Sequence, residues 1–107
     1  MSESTGRSIV NERCWGRCER CGRPGQTTIH HRRKKGQGGL WAPSNLLALC
    51  GHGTAGCHGW VEANPTAAHE AGLWLFYSEI ATEVRVPLWW WPDPVRLTDD
   101  GSYDIQE

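Results

Sequence analysis

Four cysteines in two pairs, Cys18-x2-Cys21 and Cys50-x6-Cys57, constrain the fold of this chain more than any other feature. A thiolate pair two residues apart wraps a tetrahedral ion from a single turn, and a second pair closes a structural Zn²⁺ site. The chain needs such a staple. Its 107 residues allow one domain, and 38% apolar residues is below the ~45–50% usual for a globular chain. A disulfide framework fits less well, because five cysteines is an odd number. The N-terminal MSESTGRSIVNER lacks the apolar stretch of a secretory signal. No apolar run approaches the ~18 residues of a membrane span. The expected setting is the cell interior, where thiols stay reduced and clustered cysteines ligate metals. Gly51, Gly53 and Gly56 let the longer Cys50–Cys57 connection loop out. Cys14 or His52 could replace one of the four ligands; the expectation is a spare Cys14 and a His52 that belongs to the loop. The competing reading is a set of unliganded cysteines in a reduced core.

Charge is divided along the chain. Residues 1–59 hold nine Lys/Arg against three Asp/Glu, net +6, and residues 60–107 hold two against nine, net −7, so the formal total of −1 is a cancellation. The basic half is expected to meet an anionic partner and the acidic half to face away from it or toward a protein. Residues 1–12 read as a flexible polar tail, and Thr27-Thr28-Ile29-His30 as a short strand. Residues 32–44, with four successive cations and three glycines, read as a loop, and Leu46-Leu47-Ala48-Leu49 as a second strand entering Cys50. A short helix is expected over residues 57–62, and another over 66–71 after Asn64-Pro65. Residues 73–77 and 84–90 favour strands by composition, and 95–103 a hairpin around Asp100-Gly101.

His30 and His31 are adjacent on the first strand, so their rings point to opposite sides and cannot share one role. One can ligate a metal together with His58 while the other faces substrate as a base. That division suits phosphodiester hydrolysis, in which a divalent ion stabilises charge on phosphate and on the departing oxygen. An imidazole with an ordinary pKa of about 6.5 is suited to removing a proton from water. The plainer alternative is polar surface histidines or extra zinc ligands.

In these residues the chain resembles the HNH endonucleases, also called ββα-metal or His-Me finger nucleases. The match consists of Cys18-x2-Cys21, His30-His31-Arg32, Asn45-Leu46-Leu47-Ala48-Leu49-Cys50 and Cys57-His58, over about residues 14–64. It is most similar to small phage-encoded members, although its Cys50–Cys57 loop is longer than the commonest family form. The resemblance implies a small α+β fold with a zinc-stabilised ββα-metal core at 13–64. An acidic, Trp-rich extension at 65–107, a helix plus a β-hairpin, would pack on the same domain. It implies a catalytic set of His31, Asn45 and His58. His31 would be the general base, and Asn45 would tie the Ω-shaped loop to the strand and orient His31. His30 and His58 would ligate one divalent ion, Mg²⁺ or Mn²⁺/Ni²⁺, with structural Zn²⁺ on Cys18, Cys21, Cys50 and Cys57. Some members carry a third ligand one helical turn after His58, which is Glu62 here, on the same face at i+4. Glu62 could ligate directly or through water; a solvated helix carboxylate is the plainer reading. The implied reaction is hydrolysis of DNA, by nicking or double-strand cutting, leaving 5′-phosphate and 3′-hydroxyl ends. Double-stranded DNA is the implied partner, no membrane is involved, and the cytoplasm of a phage-infected bacterium is the implied setting. A packaging protein such as terminase would be a neighbour there.

Arg32-Arg33-Lys34-Lys35 directly follows the proposed base and is expected to contact phosphate, with Arg13, Arg17, Arg20 and Arg23 extending the patch. A merely solvated charge run is the alternative. Of seven tryptophans, Trp41, Trp60 and Trp74 are expected to pack on the zinc frame. At least one ring of Trp89-Trp90-Trp91 should face outward, either as a partner surface or as a cover for the C-terminal hairpin. Two other functions compete with the nuclease: a non-catalytic zinc-stabilised DNA-binding module, and a protein-interaction domain acting through the acidic, Trp-rich half.

Overall fold

Ser2 opens the first helix. In the computed structural model, which describes residues 1–34, 36 and 40–105, α1 spans Glu3–Arg13, and the Ser2 hydroxyl accepts the Thr5 N–H. This corrects the expectation of a flexible tail. The buried face of α1 is Gly6, Val10 and Arg13, a stripe with one apolar side chain that gives almost no periodic signal. At Gly6 the helix meets main chain: a Cβ there would lie 2.2 Å from the Trp41 carbonyl oxygen.

Strands β1 (Thr27–His31) and β2 (Leu46–Cys50) pair antiparallel, from Thr27 opposite Cys50 to His31 opposite Leu46. A single 3₁₀ turn, Pro43–Asn45, leads into β2. All five residues of β2 are buried, which is why its sequence is a continuous apolar run rather than an alternation. Leu46 and Ala48 pack with Val10 and Cys14 of the α1 side, with Ile29 and Trp41 against them. Leu47 and Leu49 enter the larger core with Cys18, Cys50, Cys57 and Val61, and with Leu73, Val86, Val95 and Leu97 from the acidic half. The result is a small, compact α+β fold.

After Cys50 the chain turns through residues 51–55, closed by main-chain bonds of 3.0 and 2.9 Å between His52 and Ala55. Gly51 (φ +80°) is required there, since a Cβ would lie 2.1 Å from the Ala55 carbonyl oxygen. Helices α2 (Gly56–Ala63) and α3 (Pro65–Glu70) follow, the second with proline in its first turn. The strands expected over 73–77 and 84–90 do not form. Among the described residues these segments make one isolated bridge, between Val86 and Val95. Pro87 within the second segment, and Gly72 and Pro92 flanking them, disfavour ladders, and Leu73, Leu75, Val86 and Leu88 are instead buried singly as anchors. The C-terminal hairpin is short: β3 (Arg96–Leu97) pairs with β4 (Tyr103–Asp104) across Asp100-Gly101.

What holds the irregular segment is Arg32, which is 0% exposed. Its guanidinium donates to the carbonyls of Gly72 (2.9 Å), Ser44 (2.7 Å), Ala81 (2.9 Å) and Val84 (2.7 Å). Burial pulls its pKa down to about 10, still cationic at neutral pH. The expected phosphate contact by Arg32 is therefore corrected: the side chain is a clamp that satisfies carbonyls no ladder reaches. Arg32→Met is expected to cost about 3–5 kcal/mol, because four acceptors, two of them buried and two half-buried, each lose a charged donor at ~1 kcal/mol or more. A urea midpoint within error of the parent would contradict this role. Arg13 is likewise buried and not a surface cation. It forks onto Glu19 (2.9 and 2.8 Å) and donates to the Pro43 and Leu46 carbonyls, while Glu19 accepts from the Ala48 N–H and the Tyr103 hydroxyl. Among the described residues no helix is long and apolar enough to cross a membrane.

Candidate metal centres

The sulfurs of Cys18, Cys21, Cys50 and Cys57 lie within 4.8 Å of one another, those of Cys21 and Cys50 at 3.7 Å. Zinc bonds of about 2.3 Å in a tetrahedron require sulfur separations of about 3.8 Å, so this cluster is compatible with zinc. The turn after α1 supplies the first two ligands, the end of β2 the third and the start of α2 the fourth. The main-chain N–H groups of Cys21 and Cys57 donate to Cys18 and Cys50 sulfur at 3.5 and 3.4 Å. The Arg20 guanidinium adds a 3.4 Å bond to Cys57 sulfur and lies over the Trp60 ring, 4.2 Å from its centroid. Cys14 is outside this cluster, its thiol facing the Asn11 carbonyl, and His52 bonds Thr54 within its own loop.

A second group forms where β1 meets α2. Ligand atoms of His30, His58 and Glu62 lie within 4.8 Å of one another. The Leu73 carbonyl, 2.7 Å from His30 Nε2, can only accept, so that nitrogen carries the proton. Nδ1 is left with its lone pair, buried and without a hydrogen-bond partner among the described residues. The His58 ring is set from its other side: Thr28 Oγ1 is 2.6 Å from His58 Nδ1 and 2.9 Å from the Gly51 carbonyl oxygen. A hydroxyl that donates to Gly51 accepts from His58 Nδ1, which frees His58 Nε2, and that atom is 3.8 Å from Glu62 Oε1. Acceptors that hold imidazoles in this way, a main-chain carbonyl for His30 and a hydroxyl for His58, resemble the usual outer shell of a metal site. Glu62 thus joins the histidines instead of lying on a solvated face, and its Oε1 also binds the Lys34 ammonium.

Burial holds both rings neutral. His30 is pushed down to about 4 by desolvation, with the charges of Lys34 and His58 adding to it, and His58 is lowered chiefly by burial. A depressed folded-state pKa means that the unfolded chain takes up protons first as pH falls. Without divalent ion, His30 is therefore expected to cost roughly 3 kcal/mol of stability between its ordinary value of about 6.5 and its folded value. The loss ends below about pH 4. Comparing pH–stability curves of the parent and His30→Gln checks this; superimposable curves would contradict it.

His31 is on the opposite side of β1, buried edge-on against Trp41 with ring centroids 4.3 Å apart. It is not brought into the His30–His58–Glu62 group. Asn45 pins the loop between the strands. Its Oδ1 accepts the Arg33 N–H at 2.8 Å, and its Nδ2 donates to the Arg33 and Leu40 carbonyls at 3.2 and 3.0 Å. Of the expected phosphate contacts, Arg33 is half-buried and donates to the Glu79 carbonyl, Lys34 pairs with Glu62, and Lys35 lies outside the described residues. Arg17 and Arg23 are exposed, Arg17 with its guanidinium over the outward-facing Trp89 ring. Trp60 and Trp74 pack on the main core with Trp90 and Trp91, whereas Trp41 packs under α1. Sequence reasoning missed Thr28, Leu73 and Trp74, the last lying under the Lys34 ammonium, as partners of the site. Thr28 was open to inference, since it precedes His30 by two residues on one strand and shares its face. The Leu73 carbonyl, a main-chain atom in an irregular segment, carries no side-chain signal.

Comparison with curated proteins and with solved structures gives no match. Residues 18–59 match the family model described as HNH endonuclease. That matched stretch supplies the four clustered cysteines together with His30, His31, Asn45 and His58.

Proposed function

We propose that this chain is a metal-dependent endonuclease that hydrolyses DNA phosphodiester bonds, built on a zinc-stabilised ββα-metal core of β1, β2 and α2. The observation that carries the reading is the His30–His58–Glu62 group, with the donor nitrogen of each ring fixed by its neighbours, inside the HNH-family segment. His30 through Nδ1, His58 through Nε2 and Glu62 through a carboxylate oxygen would hold one divalent ion. When bound, that ion supplies positive charge at the scissile phosphate and at the departing 3′-oxygen. Two imidazoles with one carboxylate suit Mn²⁺ and Ni²⁺ as well as Mg²⁺.

The protein's own groups do the rest. His31, at the last position of β1, takes the proton of the attacking water, and its ring is held by Trp41. Asn45 fixes the main chain two residues beyond it. Exposed Arg17 and Arg23, with Arg33 and Lys34 nearer the centre, contact the phosphates of double-stranded DNA without reading its sequence. A phage DNA-processing or packaging step, beside a protein such as terminase, is the proposed setting. The test is a supercoiled-plasmid assay across Mg²⁺, Mn²⁺, Ni²⁺ and EDTA. Nicked or linear product with a divalent ion and none with chelator is expected. DNA retardation without cleavage under every metal would favour the non-catalytic module.

A further inference from the structure

Lys34 leaves β1 two residues after Arg32 and crosses to α2, where its ammonium binds Glu62 Oε1. That same oxygen faces His58 Nε2 at 3.8 Å. The ammonium also lies over the Trp74 ring, 4.6 Å from its centroid, and an aromatic face attracts and holds a cation at such a distance. One carboxylate oxygen is therefore shared between an anchored ammonium and a candidate ligand ring. A divalent ion entering among His30, His58 and Glu62 must take that oxygen from Lys34 and bear its repulsion.

We propose that Lys34 is the internal counter-ion of this centre, satisfying Glu62 until a divalent ion displaces it and then turning to a phosphate oxygen of the substrate. The inference rests on reading His30, His58 and Glu62 as a divalent site. Lysine suits the exchange because its three donors rotate about a compact charge, whereas a guanidinium fork would lock onto the carboxylate. Trp74 keeps the ammonium beside the centre after Glu62 is given up. Lys34 thereby differs from Arg17 and Arg23, whose charges stand out on the cysteine turn.

The two halves of the role have opposite signs, which makes them testable in one variant. Mn²⁺ is titrated into zinc-loaded parent, Lys34→Met, Lys34→Arg and His58→Ala, with free Mn²⁺ followed by electron paramagnetic resonance. Lys34→Met is expected to bind Mn²⁺ about tenfold tighter, since a neighbouring positive charge is removed. Lys34→Arg should bind Mn²⁺ more weakly than the parent, because its fork holds the carboxylate, and His58→Ala should lose the site. At saturating Mn²⁺, Lys34→Met should show a raised KM for plasmid. His58-dependent Mn²⁺ binding that is unchanged or weaker in Lys34→Met, or as tight in Lys34→Arg as in Lys34→Met, overturns the counter-ion role and leaves the metal centre standing. No His58-dependent Mn²⁺ binding in the parent overturns both.

Discussion

Replacing Cys57 by serine, or stripping the four-cysteine cluster with a chelator, is expected to unfold this chain outright. Cys18, Cys50 and Cys57 are themselves members of the main core, packed with Leu47, Leu49 and Val61. The four sulfurs come from the turn after α1, the end of β2 and the start of α2, so an ion held on this cluster would cross-link the elements that frame the candidate site. Burial pushes the Cys57 thiol up to about 12; at neutral pH that ligand gives up its proton only to a metal. Structural zinc sites contribute about 10–16 kcal/mol at neutral pH, against a whole-domain stability of about 5–15 kcal/mol. Losing the ion should therefore exceed what the rest of a small core supplies. Circular-dichroism melts with and without chelator, alongside zinc analysis of the purified protein, test this. A folded, zinc-free preparation or a Tm unmoved by chelation would overturn it.

Some of this architecture follows directly from the order of residues, and some does not. The cysteine spacing is dictated by ligand chemistry, and β2 announces itself as an uninterrupted apolar run because both its faces are covered. The division between His30 and His31 follows from strand alternation alone. Arg32 is different. Within Arg32-Arg33-Lys34-Lys35 nothing distinguishes one cation from the next, and what buries Arg32 is a set of carbonyls at residues 44, 72, 81 and 84. Main-chain acceptors in irregular segments have no residue signature, which also hid the Leu73 partner of His30. Helix α1 was missed for a related reason: its buried stripe contains glycine and an arginine paired with Glu19, so polar composition concealed a packed face.

His31→Ala and His58→Ala are expected to stop cleavage by separable routes. Removing a general base costs about 10²–10⁴-fold in rate, so His31→Ala should lose that much turnover while keeping Mn²⁺ and DNA binding. His58→Ala should lose Mn²⁺ binding and cleavage together, because its Nε2 faces Glu62 within the centre. The His31 ring also packs on Trp41, and truncating it leaves space under α1. His31→Gln, with equal zinc content and an unchanged melt, guards against a folding artefact. Asn45→Ala should fall between the parent and His31→Ala, since it frees the Arg33 main chain without removing a reacting group. Parental cleavage by His31→Ala would remove the base from the scheme. Cleavage at the parental rate in both histidine variants would overturn the scheme, because it assigns the proton acceptor to one ring and the hold on the charge at phosphorus to the other.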